Sequence, residues 1–203
     1  MTLPPPFDLR GVQVWPGLLG RPAQEAILAD LLAIMEAAPP VHPVTRWGKP
    51  MSVAMTAMGR FGWISDRRGY RYEPTDPQGR PWPPFPPSVL ALWARVAPGA
   101  RAPESGLVNL YRGPARMGLH QDRDEADLSQ PVVSLSLGDD ALFRVGSVAR
   151  GGPTASLWLR SGDVCVIGGA ARLVHHGIDR LREGSSDLVP GGGRINLTLR
   201  VVT

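Results

Sequence analysis

An imidazole and a carboxylate stand two residues apart in Met117-Gly118-Leu119-His120-Gln121-Asp122-Arg123-Asp124. On an extended chain, residues i and i+2 face the same way, so His120 and Asp122 could reach one metal ion together. A second imidazole source comes much later, in Leu173-Val174-His175-His176-Gly177. Two histidines and one carboxylate on one side of a metal form the facial triad of non-heme Fe(II) oxygenases, which leaves coordination positions open for reactants. Neighbours on a strand point to opposite faces, so spacing alone leaves His175 and His176 both open as the third ligand.

The last apolar stretch, Arg194-Ile195-Asn196-Leu197-Thr198-Leu199-Arg200, alternates strictly. As a strand it places Arg194, Asn196, Thr198 and Arg200 on one face and Ile195, Leu197 and Leu199 on the other. Two guanidiniums on one face of a partly buried strand need anionic partners. A dicarboxylate co-substrate would supply them, because each guanidinium can fork a carboxylate. Asn109 and Tyr111, again i and i+2, could add hydrogen bonds to the same ligand.

The elements that must position these groups follow from patterning. The 203 residues suit one domain with a sizeable core. With 24 glycines and 22 prolines, the composition favours short strands and many turns over a helical bundle. Residues 4–20 read as an extended leading segment, and the start lacks the apolar h-region of a signal peptide. Pro22 opens an amphipathic helix to about Ala37, with Ile27, Leu28, Leu31, Ile34 and Met35 in one stripe. Short strands are expected around Met51–Thr56 and Phe61–Ile64, followed by the Arg/Tyr-rich piece 67–72. A second helix spans about Ser88 to Val96. From Leu107 onward the pattern is all-β, with strands expected at 107–111, 117–122, 132–137, 141–145, 156–160, 163–167, 173–176 and 194–202. Eight short strands at this spacing suggest a double-sheet jelly roll.

Cys165, the single cysteine, lies in an apolar run and reads as a buried small hydrophobe, which suits a reducing compartment. No apolar run is long enough to span a membrane. The net charge is +4, and Lys49 is the single lysine among 22 basic residues. This permits nucleic-acid binding without requiring it. Arg67, Arg68 and Arg71 are candidate phosphate contacts, equally readable as solvated surface. Trp47, Trp82, Trp93 and Trp158 read as packing residues.

Six motifs in order resemble the AlkB family: Leu107-Val-Asn109-Leu-Tyr111, the run from His120 to Glu125, Pro131-Val-Val-Ser-Leu-Ser-Leu-Gly138, Gly162-Asp-Val, His176-Gly177 and Arg194-x-Asn196-Leu-Thr-x-Arg200. The likeness extends upstream through Met51-Ser-Val-Ala-Met-Thr, Gly62-Trp63, Gly69-Tyr70 and Asp76-Pro-Gln, so it covers about residues 41–203. The resemblance implies an α+β protein: a double-stranded β-helix (jelly roll) over 107–203, an N-terminal extension and helix over 1–40, a nucleotide-recognition lid over 41–86, and a second helix with its connection over 87–106. It implies an Fe(II)/2-oxoglutarate dioxygenase that demethylates bases of the 1-methyladenine and 3-methylcytosine type, with O2 as the other co-substrate. Formaldehyde, succinate and CO2 would be released.

By the same resemblance His120, Asp122 and His176 hold the iron, the His-Gly pair selecting His176. Asn109, Tyr111, Arg194, Asn196 and Arg200 bind 2-oxoglutarate, and Trp63, Tyr70 and Asp124 meet the base. The expected partner is single-stranded DNA, with double-stranded DNA and RNA left open, for a cytoplasmic monomer. Two alternatives stand beside it: a hydroxylase of a protein or small molecule, and an inactive module that only binds damaged bases.

Overall fold

The computed structural model describes residues 3–203. In chain order, β1 (Phe7–Leu9) and β2 (Val12–Trp15) form a hairpin and α1 (Arg21–Ala37) follows. Next come β3 (Ala54–Gly59), the hairpin of β4 (Gly62–Asp66) and β5 (Gly69–Glu73), and α2 (Pro87–Val96). Eight strands complete the chain: β6 (Ser105–Tyr111), β7 (Met117–His120), β8 (Val132–Gly138), β9 (Asp140–Val145), β10 (Ala155–Leu159), β11 (Val164–Ile167), β12 (His176–Arg182) and β13 (Arg194–Arg200).

These eight strands fold as the expected jelly roll. A seven-stranded sheet runs β1-β2-β11-β8-β13-β6-β3, and a four-stranded sheet runs β10-β9-β12-β7. The pairings within both are antiparallel. The large sheet is buried on both faces. One face packs on the helices, where Ile195, Leu197 and Leu199 of β13 meet Leu28 and Leu31 of α1 and Leu92 and Trp93 of α2 in one cluster. The other face looks towards the small sheet across a second cluster that includes Leu107, Tyr111, Phe143, Ile167 and Ile178. β13, paired on both sides by β6 and β8, therefore sends its polar residues into the space between the sheets. Residues 41–86 divide: β3 extends the large sheet beside β6, whereas β4 and β5 form a separate two-stranded hairpin.

Three expectations are corrected. The leading segment is not merely extended: β1 and β2 close around Arg10-Gly11, with φ of 54° and 87°, the left-handed pair of a type I′ hairpin turn. The strand expected at 173–176 instead begins at His176 and runs to Arg182. Residues before it are used in a turn, with Val174 N–H donating to Ala171 and His175 N–H to Ser147. β12 leaves no clear alternation in the sequence because its register shifts between Ile178 and Leu181, which breaks the i, i+2 pattern. Finally, β7 ends at His120, so Asp122 lies in the following loop rather than on a strand. The ladder stops there because His176, the first residue of β12, pairs with His120.

Candidate metal centre and substrate pockets

His120 and His176 are opposite one another across the β7–β12 pair, with ring centroids 4.6 Å apart. Each ring is oriented by a backbone carbonyl: His120 Nδ1 lies 2.9 Å from Gly118 O, and His176 Nδ1 lies 3.1 Å from Val174 O. A carbonyl can only accept, so Nδ1 carries the hydrogen in both rings, which makes Nε2 the nitrogen each ring can offer to a metal. Both Nε2 atoms face Asp122, at 3.6 Å from Oδ1 and 3.7 Å from Oδ2. One ligand atom from each of the three residues falls within 4.8 Å of the others. The spread of two imidazole nitrogens and a carboxylate around one point suits a divalent iron, with the second ring nitrogen held as metal-binding histidines require. His175 points elsewhere, its Nδ1 3.0 Å from Ser147 O.

Burial alone would raise the Asp122 pKa. Arg200, whose Nη2 donates to Asp122 Oδ2 at 2.9 Å, and the two imidazoles more than offset that, holding the carboxyl well below its usual range. Burial, with the neighbouring His120, pushes His176 down to about 4. The triad thus presents a charged carboxylate and a neutral buried imidazole near neutral pH, the protonation states that bind a metal.

Behind the triad lies a chamber of about 60 Å³ lined by Asn109, Tyr111, Ser134, Arg194, Asn196 and Arg200 among others. Asn109 and Asn196 face each other across β6 and β13, with Asn109 Nδ2 donating to Asn196 Oδ1 at 3.3 Å. Asn196 in turn donates to Ser134 Oγ and Leu135 O. The two arginines are treated differently. Arg200 is compensated within the protein, by Asp122 and by Glu125 Oε1 at 3.3 Å from its Nε. Arg194 is 1% exposed, donates Nη2 to Ser136 Oγ at 2.9 Å, and lies 5.1 Å from the centroid of the Tyr111 ring. Its Nε and Nη1 find no hydrogen-bond acceptor, and neither do those of Arg200, whose Nε has Glu125 only as an ion-pair partner. Asn109 Oδ1 is likewise unmet. Unsatisfied buried donors on two guanidiniums, with an asparagine between, fit a ligand carrying a carboxylate at each end. Asp163, a potential rival partner for Arg200, is occupied by the backbone N–H groups of Gly17 and Arg160.

On the open side, a groove of about 750 Å³ includes His120, Asp122 and Arg200 in its floor, so the two spaces meet at the triad. Trp63 of β4 and Tyr70 of β5 line it as a stacked pair, centroids 5.3 Å apart and planes 28° from parallel. Trp63 Nε1 donates to Asp124 Oδ2 at 3.0 Å, which fixes the indole over the metal loop. Trp63, Tyr70 and Asp124 therefore come together at the mouth of the groove.

Other residues were missed or misjudged. Glu125, given no role by the sequence, has a side chain almost wholly buried between Arg172, Tyr72 and Arg200. Arg172 Nη2 donates to Glu125 at 2.9 Å, Arg172 Nη1 to Asp122 O at 2.5 Å, and Tyr72 Oη to Glu125 at 2.5 Å. This network clamps the loop that carries Asp122 and ties β5 to it. Arg71 is engaged by Asp66 and Glu73, and Arg68 pairs with Asp66. Arg116, Arg123 and Arg150, by contrast, line the groove and form no ion pair among the described residues. Trp47 is not a packing residue, being 74% exposed.

Residues 11–200 match the family model of the 2OG-Fe(II) oxygenase superfamily. An alpha-ketoglutarate-dependent dioxygenase AlkB homolog of Caulobacter vibrioides is 59% identical over 201 residues, covering 98% of this chain and 89% of that protein. The alpha-ketoglutarate-dependent dioxygenase AlkB of Escherichia coli is 43% identical over 183 residues, covering 88% and 84% respectively. Among solved structures, OsALKBH1 superposes with a TM-score of 0.79 at 30% identity, over 97% of this chain and 99% of that one.

Proposed function

The chain belongs to the AlkB family of 2OG-Fe(II) oxygenases, and from that premise we propose that it oxidatively demethylates N-alkylated nucleobases, of the 1-methyladenine and 3-methylcytosine type, in single-stranded DNA. The observation that carries this reading is the meeting of two chambers at one triad: an inner one with unmet guanidiniums and an outer one walled by stacked aromatics.

His120, Asp122 and His176 would hold Fe(II), offering two imidazole nitrogens and a carboxylate. Arg194 would receive the distal carboxylate of 2-oxoglutarate, with Asn109, Tyr111 and Asn196 around it, while Arg200 would meet the acid group at the metal end. When bound, Fe(II) with 2-oxoglutarate and O2 supplies the oxidation that converts an N-methyl group to N-hydroxymethyl, which leaves as formaldehyde alongside succinate and CO2. The remaining tasks fall to the chain. Trp63 and the exposed edge of His120 sandwich the target base, and a base–aromatic stack contributes about 1–3 kcal/mol whatever the base. Asp124, already held by Trp63, faces the cationic methylated ring or its exocyclic amine. Arg116, Arg123 and Arg150 on the groove wall are free to take phosphates. The reactive methyl occupies the pairing edge, so the base must enter unpaired, which favours a single strand. We place the protein in the reducing cytoplasm, consistent with its single cysteine being free and buried, and take it to be a monomer. Among the described residues no helix is long and apolar enough to cross a membrane.

The test is anaerobic loading with Fe(II) and 2-oxoglutarate, then air and a single-stranded oligonucleotide carrying one 1-methyladenine. Mass spectrometry follows loss of one methylene unit, with formaldehyde and succinate assayed alongside. Demethylation requiring both iron and 2-oxoglutarate is the expected result. Succinate without demethylation would move the substrate elsewhere, and neither product with metal bound would overturn the enzymatic reading.

A further inference from the structure

Trp47 is the most exposed large apolar side chain among the described residues, at 74%. It stands at the tip of a short, well-tied loop. A Val44–Pro50 bridge closes the base, Gly48 N–H donates to Thr45 O at 2.7 Å, and Thr45 N–H to Lys49 O at 2.8 Å. Gly48, with φ of 80°, makes the left-handed turn that this tight loop requires. The indole is thus presented to solvent by an ordered backbone. The Arg46 guanidinium carbon lies 4.3 Å from the ring centroid, covering one face and leaving the other free.

Charge gathers at the same place. Arg67 lies alongside Gly48, its guanidinium 3.7 Å from where a side-chain carbon there would stand. Arg46, Lys49 and Arg67 form no ion pair among the described residues, whereas Arg68, Arg71 and Arg80 nearby are all engaged by carboxylates. The uncompensated positive charge of residues 41–86 is therefore concentrated around the one exposed indole. The loop is also joined to the substrate groove: Met51, Ser52 and Val53 directly after it form part of the groove wall. Ser65 Oγ donates to Val44 O at 2.6 Å, linking the loop to the strand that carries Trp63.

We infer that the Arg46–Lys49 loop is a second nucleobase platform, on which Trp47 stacks an unpaired base of the strand flanking the target while Arg46, Lys49 and Arg67 hold its phosphates. An aromatic face combined with unpaired cations binds single strands with little regard to sequence. The inference rests on the nucleic-acid reading above and adds a contact outside the pocket that holds the target base. It follows that the protein binds a strand of several nucleotides better than it binds the isolated damaged nucleotide, and that Trp47 is a large part of the difference.

The experiment compares the full chain with Trp47→Ala and Trp47→Phe, both at a solvent-exposed position. Fluorescence anisotropy gives Kd for an unmodified ten-nucleotide single strand. Competition gives Kd for 1-methyladenosine monophosphate, and demethylation is scored separately. Trp47→Ala is expected to raise Kd for the ten-mer about five- to tenfold, the lower range of one base–aromatic stack. Its affinity for the mononucleotide should match wild type, and Trp47→Phe should recover most of the loss. Arg46→Ala and Lys49→Ala should each lower the salt-dependence slope of ten-mer binding by about one. Wild-type ten-mer affinity in Trp47→Ala, or equal losses for ten-mer and mononucleotide, overturns the platform while leaving the demethylase reading intact. Trp47-dependent ten-mer binding without any demethylation does the reverse. A wild-type protein that neither binds the ten-mer nor demethylates a methylated strand overturns both.

Discussion

Replacing Arg194 by methionine should make the protein more stable and unable to use 2-oxoglutarate. The side chain is 1% exposed, and two of its three nitrogens lack an acceptor. An unmet buried donor costs about 1–3 kcal/mol, and more when it is charged. Burial lowers the guanidinium pKa, with Tyr111 giving only partial compensation, so the folded state works against the charge it carries. Against this stand the bond to Ser136 and the contact with the Tyr111 ring, each worth about 1 kcal/mol. Methionine fills much of the same space without a charge and adapts to irregular gaps. The net expectation is a gain of about 1–2 kcal/mol, or about 2–8 °C in Tm for a chain of this size. Saturating 2-oxoglutarate should then reverse the order. At a hundred times Kd a ligand adds about 2.7 kcal/mol to wild type, and Arg194→Met should gain almost nothing. Thermal melts of both proteins with a redox-inert divalent metal, with and without 2-oxoglutarate, test the reversal. A variant that melts below wild type without the co-substrate, or that shows the same upward shift with it, would refute the assignment.

Asp122→Ala removes the one carboxylate of the triad and should abolish both Fe(II)-dependent turnover and tight Co(II) binding, followed by the cobalt absorption band; full turnover would sink the triad. Trp63→Ala should weaken binding of a methylated oligonucleotide about 5- to 100-fold, one base–aromatic stack, with metal affinity unchanged. Equal loss of both would mark Trp63 as a core residue instead. Glu125→Ala leaves Arg172 without its carboxylate and Arg200 with Asp122 alone, so it should cost about 3–5 kcal/mol in urea unfolding. Glu125→Gln, which keeps the hydrogen-bonding shape, should lose less; a loss below about 1 kcal/mol in Glu125→Ala would show that the network does not clamp the metal loop.

What could be read from the sequence followed the reach of local periodicity. β13 alternates without interruption, so its polar face, with Arg194, Asn196 and Arg200, was legible residue by residue. α1 and α2 were legible within a residue, because proline marks both starts and the apolar stripe is regular. The His120–Asp122 pair was identified for a reason only partly right: the strand stops at His120, and the loop, held by Arg172 and Arg200, turns Asp122 back towards the imidazoles. β12 was hidden by its bulge. Glu125 and Arg172 were beyond reach because their partners lie 47 residues apart and each looks like ordinary surface charge. Trp47 reads as a packing residue by type alone, and type does not distinguish an indole in the core from one held out on a turn.

The contrast between the two buried arginines bears on co-substrate choice. Near the metal, Arg200 already has Asp122 and Glu125, so its charge is balanced before any ligand enters. Burial opposes its charge, but Asp122, Tyr72 and Glu125 together raise its pKa above the ordinary value. At the far end of the chamber Arg194 has no carboxylate among the described residues, and burial lowers its pKa. On the proposed reading, a ligand with a single acid group at the metal end would leave the Arg194 charge unmet, along with the desolvation already incurred in folding. A second carboxylate at the right distance removes that penalty, and its affinity therefore draws on a cost built into the fold. Sites that hydrogen-bond a polar group reject analogues lacking it by large factors, because their own buried groups are then left unpaired. Selectivity for a dicarboxylate over a simple 2-oxo acid should accordingly depend on Arg194 far more than on Arg200. Arg194→Met should flatten that selectivity even where residual binding at the metal end survives.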